Sequence, residues 1–140
     1  MEDSQNFERQ LYQFRYLKEQ REMLQGQLEI VNASLSNLRN TKTTLENLKE
    51  GVNENDEILV PIGGLVNIRA SIKDTEKVLL YINQDTVIEK NIEDSIEFID
   101  KLISQHNNQI KFLTERVQYL DLNLQGMSQE LQNRMDQRKS

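Results

Sequence analysis

His106 is the single histidine of this 140-residue chain, and there is no cysteine. Metal sites draw on clustered Cys, His and carboxylate ligands, and none is gathered around His106. Disulfides are impossible. Gly63-Gly64 is the one glycine pair, but it lies between β-branched stretches and lacks the lysine of a phosphate-cradling loop. No nucleophile, base and orienting group fall together elsewhere. The expectation is a protein that is not an enzyme and uses no cofactor.

What the residue types do allow is capture of apolar surface. Phe7, Leu11, Tyr12, Phe14 and Tyr16 crowd the N-terminal end, and Leu122, Leu124, Met127, Leu131 and Met135 the C-terminal end. Flexible methionine and amphipathic tyrosine suit a surface that accepts many partners. A second set, Met23, Ile30, Phe112 and Tyr119, lies further in. The middle of the chain, opening with "EILVPIGGLVNIRASI", is dense in β-branched residues and carries the only proline.

Heptad spacing dictates the elements that hold these residues. Phe7, Phe14, Leu28 and Leu35 form row a of the first arm, interrupted by Arg21 and Lys42, while Leu17, Leu24, Val31, Leu38 and Leu45 form row d. In the second arm Ile96, Ile103, Ile110, Val117, Leu124 and Leu131 are row a, and Ile92, Ile99, His106, Leu113, Leu120 and Met127 row d. At 1.5 Å per residue, arms of about 45 residues reach ~70 Å, and equal arms joined by one middle segment can fold back as an antiparallel coiled-coil hairpin. Row a then meets row d: Leu45 with Ile96, Leu38 with Ile103, Val31 with Ile110, Leu24 with Val117, Leu17 with Leu124. The other set is Leu35 with His106, Leu28 with Leu113 and Phe14 with Met127. A slip of one heptad satisfies the same rule. His106 is a tolerated seam residue that can set register, and Arg21 and Lys42 are expected to snorkel.

Between the arms the period drops from 3.5 to 2. "EILVPI", "VNIRASI", "KVLLYI" and "TVIEK" read as four strands in two hairpins, with turns at Gly63-Gly64 and Asn83-Gln84-Asp85. Gly51 is expected to end the first helix as a left-handed cap, and Asn91 to cap the second. Gly26 and Gly126, inside helices, each cost roughly 1 kcal/mol relative to alanine. The organisation is residues 1–50, first helix; 51–90, two β-hairpins; 91–140, second helix. A lone two-stranded ribbon is marginal in water and leaves its edges unpaired, so the strands are expected to join those of other chains. Ile58, Val60, Ile62, Val66, Ile68, Ile72, Val78, Leu80, Ile82, Val87 and Ile88 would carry that oligomerisation.

Composition narrows the partners. Hydrophobic residues make up 36% and charged residues 29%, lean for a globular core and suited to a narrow seam. The net charge of −6, with no basic cluster, argues against nucleic acid. A basic amphipathic face for a membrane surface is absent too. No apolar run approaches a membrane span or a secretion signal, so a cytoplasmic protein is expected.

With these stretches in view, "EILVPIGGLVNIRASIKDTEKVL" and "VIEKNIEDSIEFIDKLI" between two heptad helices resemble the α-class subunit of archaeal-type prefoldin over essentially the whole chain. Two hairpins match the α class, since the β class has one. The turn at Asn83-Gln84-Asp85 departs from the glycine-containing turn frequent in relatives. The resemblance implies a mainly α fold whose strands form an intersubunit β-barrel. It also implies a hetero-hexamer of two α and four prefoldin β subunits. The implied activity is ATP-independent capture of unfolded protein clients and delivery to a group II chaperonin.

Client contact is accordingly expected at Phe7, Leu11, Tyr12, Phe14, Tyr16, Leu122, Met127, Leu131 and Met135. The alternative is that the seam members among them only close the coil. Met23, Ile30, Phe112 and Tyr119 are expected to form an apolar flank, with isolated surface apolars as the alternative. Phe98, with Leu102 and Leu48, is expected to dock the arms onto the strands. Glu2, Asp3, Arg134, Arg138 and Lys139 are candidates for the chaperonin contact. The competing function is a structural coiled-coil tether that binds no client.

Overall fold

The computed structural model describes residues 2–139, so the outermost residues of both arms, 1 and 140, lie outside it. The order is α1 (Glu2–Gly51), β1 (Glu57–Pro61), β2 (Asn67–Ser71), β3 (Lys77–Asn83), β4 (Thr86–Asn91) and α2 (Ile92–Lys139). The strands make two separate antiparallel ribbons, β1–β2 and β3–β4. Two compact units are present, one of residues 1–34 with 106–140 and one of residues 35–105. They will be called the arm unit and the ribbon unit.

In the arm unit the helices run antiparallel around a seam that buries Val31, Leu113, Val117, Leu120 and Leu131. Its cross-helix bonds join Gln10 to Glu130, Arg21 to Asp121 and Ser34 to His106. In the ribbon unit Lys42 bonds Asp100 and Lys49 bonds Glu93. Each bond lies within one residue of the expected register, whereas a one-heptad slip would displace it by about seven. The ambiguity of the heptad rule is thereby removed.

The polar seam residues all find partners. Arg21 does not merely snorkel: Nε donates to Asp121 Oδ1 at 2.8 Å and Nη2 to Oδ2 at 3.4 Å. Lys42 Nζ lies 2.7 Å from Asp100 Oδ1 and 3.8 Å from Glu46. The carboxylate hydrogen bond is the main reason both bases are held more firmly protonated than usual. His106 Nε2 is hydrogen-bonded to Ser34 Oγ at 2.9 Å, which satisfies a polar group at a half-buried seam position.

Helix ends follow local chemistry, with one correction. Asn91 Oδ1 accepts from the Asp94 N–H at 2.7 Å, an N-cap bond that starts α2. Ser95, fully buried one residue on, donates to the Asn91 carbonyl at 2.7 Å. Gly51 is not a left-handed cap: α1 runs through it, and the positive φ falls on Asn55 at 73°. Asparagine tolerates that conformation, and the Asn53–Asp56 turn around it does the stopping. Gly63 at φ 115° makes the tight turn of the first ribbon. In the second ribbon, Asn83 Oδ1 accepts from the Asp85 N–H at 2.9 Å, so a side chain supplies the turn that glycine would otherwise make.

The ribbon unit has its own core of Leu45, Ile92 and Ile99, with Leu38, Leu48, Ile96, Phe98, Leu102, Ile103 and Val78 packed on it. Val78 belongs to β3, so the second ribbon is laid against the coil as the Phe98 expectation requires. Lys90 of β4 sits 5.2 Å over the Phe98 ring and reinforces the contact. Asp74, in the loop before β3, accepts from the Glu76 and Lys77 N–H groups at 2.8 and 3.1 Å. Those two bonds hold its carboxyl below the usual range.

Candidate functional site

Helical periodicity assigns each arm-unit residue to a side. Arg21 and Asp121 are an a residue and an e residue, whereas Gln10–Glu130 and Ser34–His106 each join a d residue to a g residue. In an antiparallel pair the two e edges share one side and the two g edges the other. The e side therefore carries the ion pair. The g side carries no ion pair among the described residues of this unit; its edge is Gln13, Gln20, Gln27 and Ser34 on α1, and Gln109, Arg116, Asn123 and Glu130 on α2.

Position c borders g, and there Tyr16, Met23 and Ile30 of α1 and Phe112 and Tyr119 of α2 are all exposed, Ile30 at 71% and Phe112 at 61%. In the register above Met23 lies level with Tyr119 and Ile30 with Phe112, on either side of the polar g edge. Tyr12, Leu122 and Met135 are exposed as well, away from the seam. Phe7, Leu11, Phe14 and Met127 are half-buried. Phe7 is capped by Arg138, whose guanidinium carbon lies 4.3 Å from the ring centre. Leu131, expected among the tip residues, is only 7% exposed: it continues row a and fills the seam. A groove of about 350 Å³ opens beside it, lined by Gln10, Gln13, Leu17, Asn123, Met127, Glu130 and Leu131.

The ribbons supply a second surface. In β1–β2, Val60 pairs with Ile68 and Ile58 with Ala70, so these residues share one face, and Ile58 and Ile68 are exposed on it. Ile62 and Val66, joined by a backbone bond at the turn, are exposed too. The opposite face carries the Arg69–Glu57 ion pair at 3.5 Å. In β3–β4, Leu80 pairs with Ile88 on the face that Val78 turns to the coil, and all three are half-buried. Val78 is thus used inside the chain. Ile72 and Val60 are half-buried, and Ile82 and Val87 exposed.

Four residues outside the expected set are as open as any within it: Leu59, Leu65, Leu79 and Tyr81, with Leu65 at 98%. Leu79 and Tyr81 are out of phase with Val78 and Leu80. A signal was available, because "KVLLYI" is apolar at successive positions, and an unbroken run marks a strand covered on both faces. Among the described residues no group of three or more His, Cys, Asp or Glu could hold a metal ion, and no helix is long and apolar enough to cross a membrane.

Two helices in this register with two ribbons between them have a match among known families: the family model described as prefoldin subunit fits residues 17–137. The chain belongs to the prefoldin family. Archaeal α-class members are among its relatives. Prefoldin subunit alpha 1 of Thermococcus kodakarensis is 31% identical over 105 residues, 75% of this chain and 71% of that one. Prefoldin subunit alpha of Pyrococcus horikoshii is 28% identical over 110 residues, 79% and 74% of the two chains. The Methanococcus aeolicus α subunit is 27% identical over 139 residues and 94% of each. In fold the chain is similar to filamentous PFD from Methanocaldococcus jannaschii solved by cryo-EM, at 22% identity and a TM-score of 0.70, covering 83% of this chain and 95% of that one. The archaeal-type α prefoldin layout is therefore shared along nearly the whole length, and the family is one of chaperones.

Proposed function

We propose that this chain is the α-type subunit of a prefoldin chaperone that works without ATP, holding unfolded proteins on its arm unit and passing them to a group II chaperonin. Its ribbons join those of prefoldin β subunits, two α to four β, in a β-barrel hub. The family's chaperone role supports the activity, and one observation on the chain carries the division of labour. Large apolar side chains stay open in two separate places, on the ribbon faces at Ile58, Ile68, Tyr81 and Val87 and on the helical flank at Met23, Ile30, Phe112 and Tyr119.

Those two places suit different partners. A ribbon presents backbone edges as well as side chains, so strands of another chain can extend it and bury its face together. A helix offers no such edges; its exposed apolar rows gain by covering client side chains that would otherwise stay in water. Phe7, Leu11, Tyr12, Phe14, Tyr16, Leu122, Met127 and Met135 extend the client surface toward the chain ends, while Leu131 stays in the seam beneath them. Glu2, Asp3, Arg138 and Lys139 are exposed there and available to a chaperonin, with Arg134 half-buried beside them. The cytoplasm is the compartment that such a role requires. Nothing favours a tether over this reading.

Co-expression with a one-hairpin β subunit tests it. A mixed complex on sizing that suppresses aggregation of a chemically unfolded protein, without nucleotide, is the expected result. A stable monomer, or a complex that leaves aggregation unchanged, overturns it.

A further inference from the structure

In each ribbon one strand edge is whole and the other is blunted. Residues of an antiparallel pair alternate between those that exchange both backbone bonds and those whose N–H and C=O point away from the partner strand. Two bonds set the phase in β1–β2: the Ile62 N–H donates to the Val66 carbonyl at 2.9 Å, and the Ile72 N–H to the Asp56 carbonyl at 3.0 Å. The even-numbered residues therefore bond inward. Glu57, Leu59 and Pro61 on β1, and Asn67, Arg69 and Ser71 on β2, turn their backbone groups out. In β3–β4 the Ile92 N–H donates to the Glu76 carbonyl at 2.9 Å, so Lys77, Leu79 and Tyr81 on β3 and Val87, Glu89 and Asn91 on β4 turn out. Every one of these residues is exposed.

Two of the four edges lack one donor. Pro61 has no N–H, so the β1 edge loses its last outward donor, at the turn end. On β3 the first outward donor is already taken, because the Lys77 N–H donates to Asp74 Oδ1 at 3.1 Å. That loss lies at the opposite end, next to the helices. β2 and β4 have an N–H at each outward position, and among the described residues none of them has a partner. The ribbons form separate sheets, so neither uses the other's edge. Outward N–H and C=O groups are what an added strand bonds, and a proline or an occupied donor is what stops it.

We infer that Pro61 and Asp74 set the register in which strands of a β-type subunit are added. A partner strand bonds along the whole of β2 or β4. On β1 Pro61 confines it to the helix end, at Glu57 and Leu59, and on β3 Asp74 confines it to the turn end, at Leu79 and Tyr81. A bare edge repeats every two residues, so a strand that slips by two keeps both its bonds and its side-chain faces. Removing one donor at one end breaks that equivalence, since the slipped strand then leaves a group unpaired. The apolar residues exposed beside these edges, Ile58, Ile68, Tyr81 and Val87, are covered only when the register is right. This inference rests on the reading that the ribbons join those of other prefoldin subunits, and adds where along each edge they join.

Backbone hydrogen exchange, read residue by residue on the full chain alone and in its complex with a one-hairpin β subunit, tests this. On assembly the Asn67, Arg69, Ser71, Val87 and Glu89 amides should slow by at least about tenfold, whereas Lys77, already held by Asp74, should change by less than about twofold. Asn67→Pro and Glu89→Pro each remove one outward donor while sparing the ribbon's own ladder, and each should weaken the mixed complex about tenfold. The inward amides of Ile68 and Ile88 report whether the variant ribbons are folded; if they are not, exchange in the native complex decides alone. Pro61→Val combined with Asp74→Ala frees both edges, and sizing should then resolve more than one assembled species where the native chain gives one. Unslowed amides on β2 and β4, a Lys77 amide slowed as much as they are, or a single native-sized species from the double variant overturns the inference. Those results leave the mixed complex standing, whereas a native chain that forms no mixed complex sinks the oligomerisation reading and this inference with it.

Discussion

Phe98 and Phe112 stand two heptads apart in α2 at the same c position, and their surroundings are opposite. Phe98 lies under the second ribbon, packed with Leu48, Leu102 and Val78 and covered by Lys90. Phe112 is open to solvent, with Ile30, Met23 and Tyr119 open around it. Identical side chains at an identical position of the repeat have thus been assigned to different work. In the ribbon unit the chain covers the c position with its own strand and gains stability. In the arm unit it leaves the position bare and forgoes that stability. The difference lies in whether a strand is at hand, not in the helix.

The most forceful way to sharpen this contrast is to attack the covered region at its centre. Ile99 is 5% exposed within the ribbon-unit core, and Ile99→Ala should destabilise the protein by about 2–4 kcal/mol, read from denaturant unfolding at fixed concentration. No arm-unit c residue should approach that loss. The pair itself comes next: Phe98→Ala should cost about 1–3 kcal/mol, and Phe112→Ala should stay within about 0.5 kcal/mol. Equal costs for the two would break the comparison.

Function should divide the other way. Changing Met23, Ile30, Phe112 and Tyr119 together to Ser or Gln should leave sizing profiles and melting nearly unchanged, while suppression of client aggregation falls severalfold. Unaltered suppression would show that the open flank is idle. A smaller effect is expected at Gly126, the bare c position. With open space around its missing Cβ, Gly126→Ala should raise stability by about 0.5–1 kcal/mol from helix propensity alone.

Acid provides the least of these effects, confined to the covered region. Asp74 has a lowered folded pKa, so its contribution is present above the ordinary carboxylate range and is lost as pH falls through the folded value. Asp74→Ala should therefore lower the melting temperature at neutral pH, and its difference from the native chain should shrink as the solution is made strongly acidic. A gap that stays constant with pH would remove the two backbone bonds of Asp74 from the account of how the strand is held.

Much of this architecture is legible in the sequence because its causes are local. Strand positions follow from a period of two over "VNIRASI", and the start of α2 from an asparagine able to accept from a backbone N–H. Gly51 misled because glycine is compatible with a left-handed cap but does not require one, and nothing after it forces the turn before Asn53 and Asp56 do. Leu79 and Tyr81 were passed over because a strand read as alternating has only one apolar face, whereas this run has two. Gln10 gave no signal at all. Glutamine at a d position is an ordinary interruption until its bond to Glu130 across the seam shows that it helps fix the register.

The sequence by itself determined two amphipathic helices, four strands and their order, since heptad rows and alternation act over a few residues and need no partner to be recognised. Register was beyond it, because a repeat looks the same when shifted by its own length. Tertiary structure broke that symmetry through polar pairs that occur once each, Arg21 with Asp121 and Ser34 with His106. It also decided which face of the second ribbon the coil would cover, with Val78 turned inward and Leu79 and Tyr81 left open, a matter of what lies nearby in space that an unbroken apolar run does not encode.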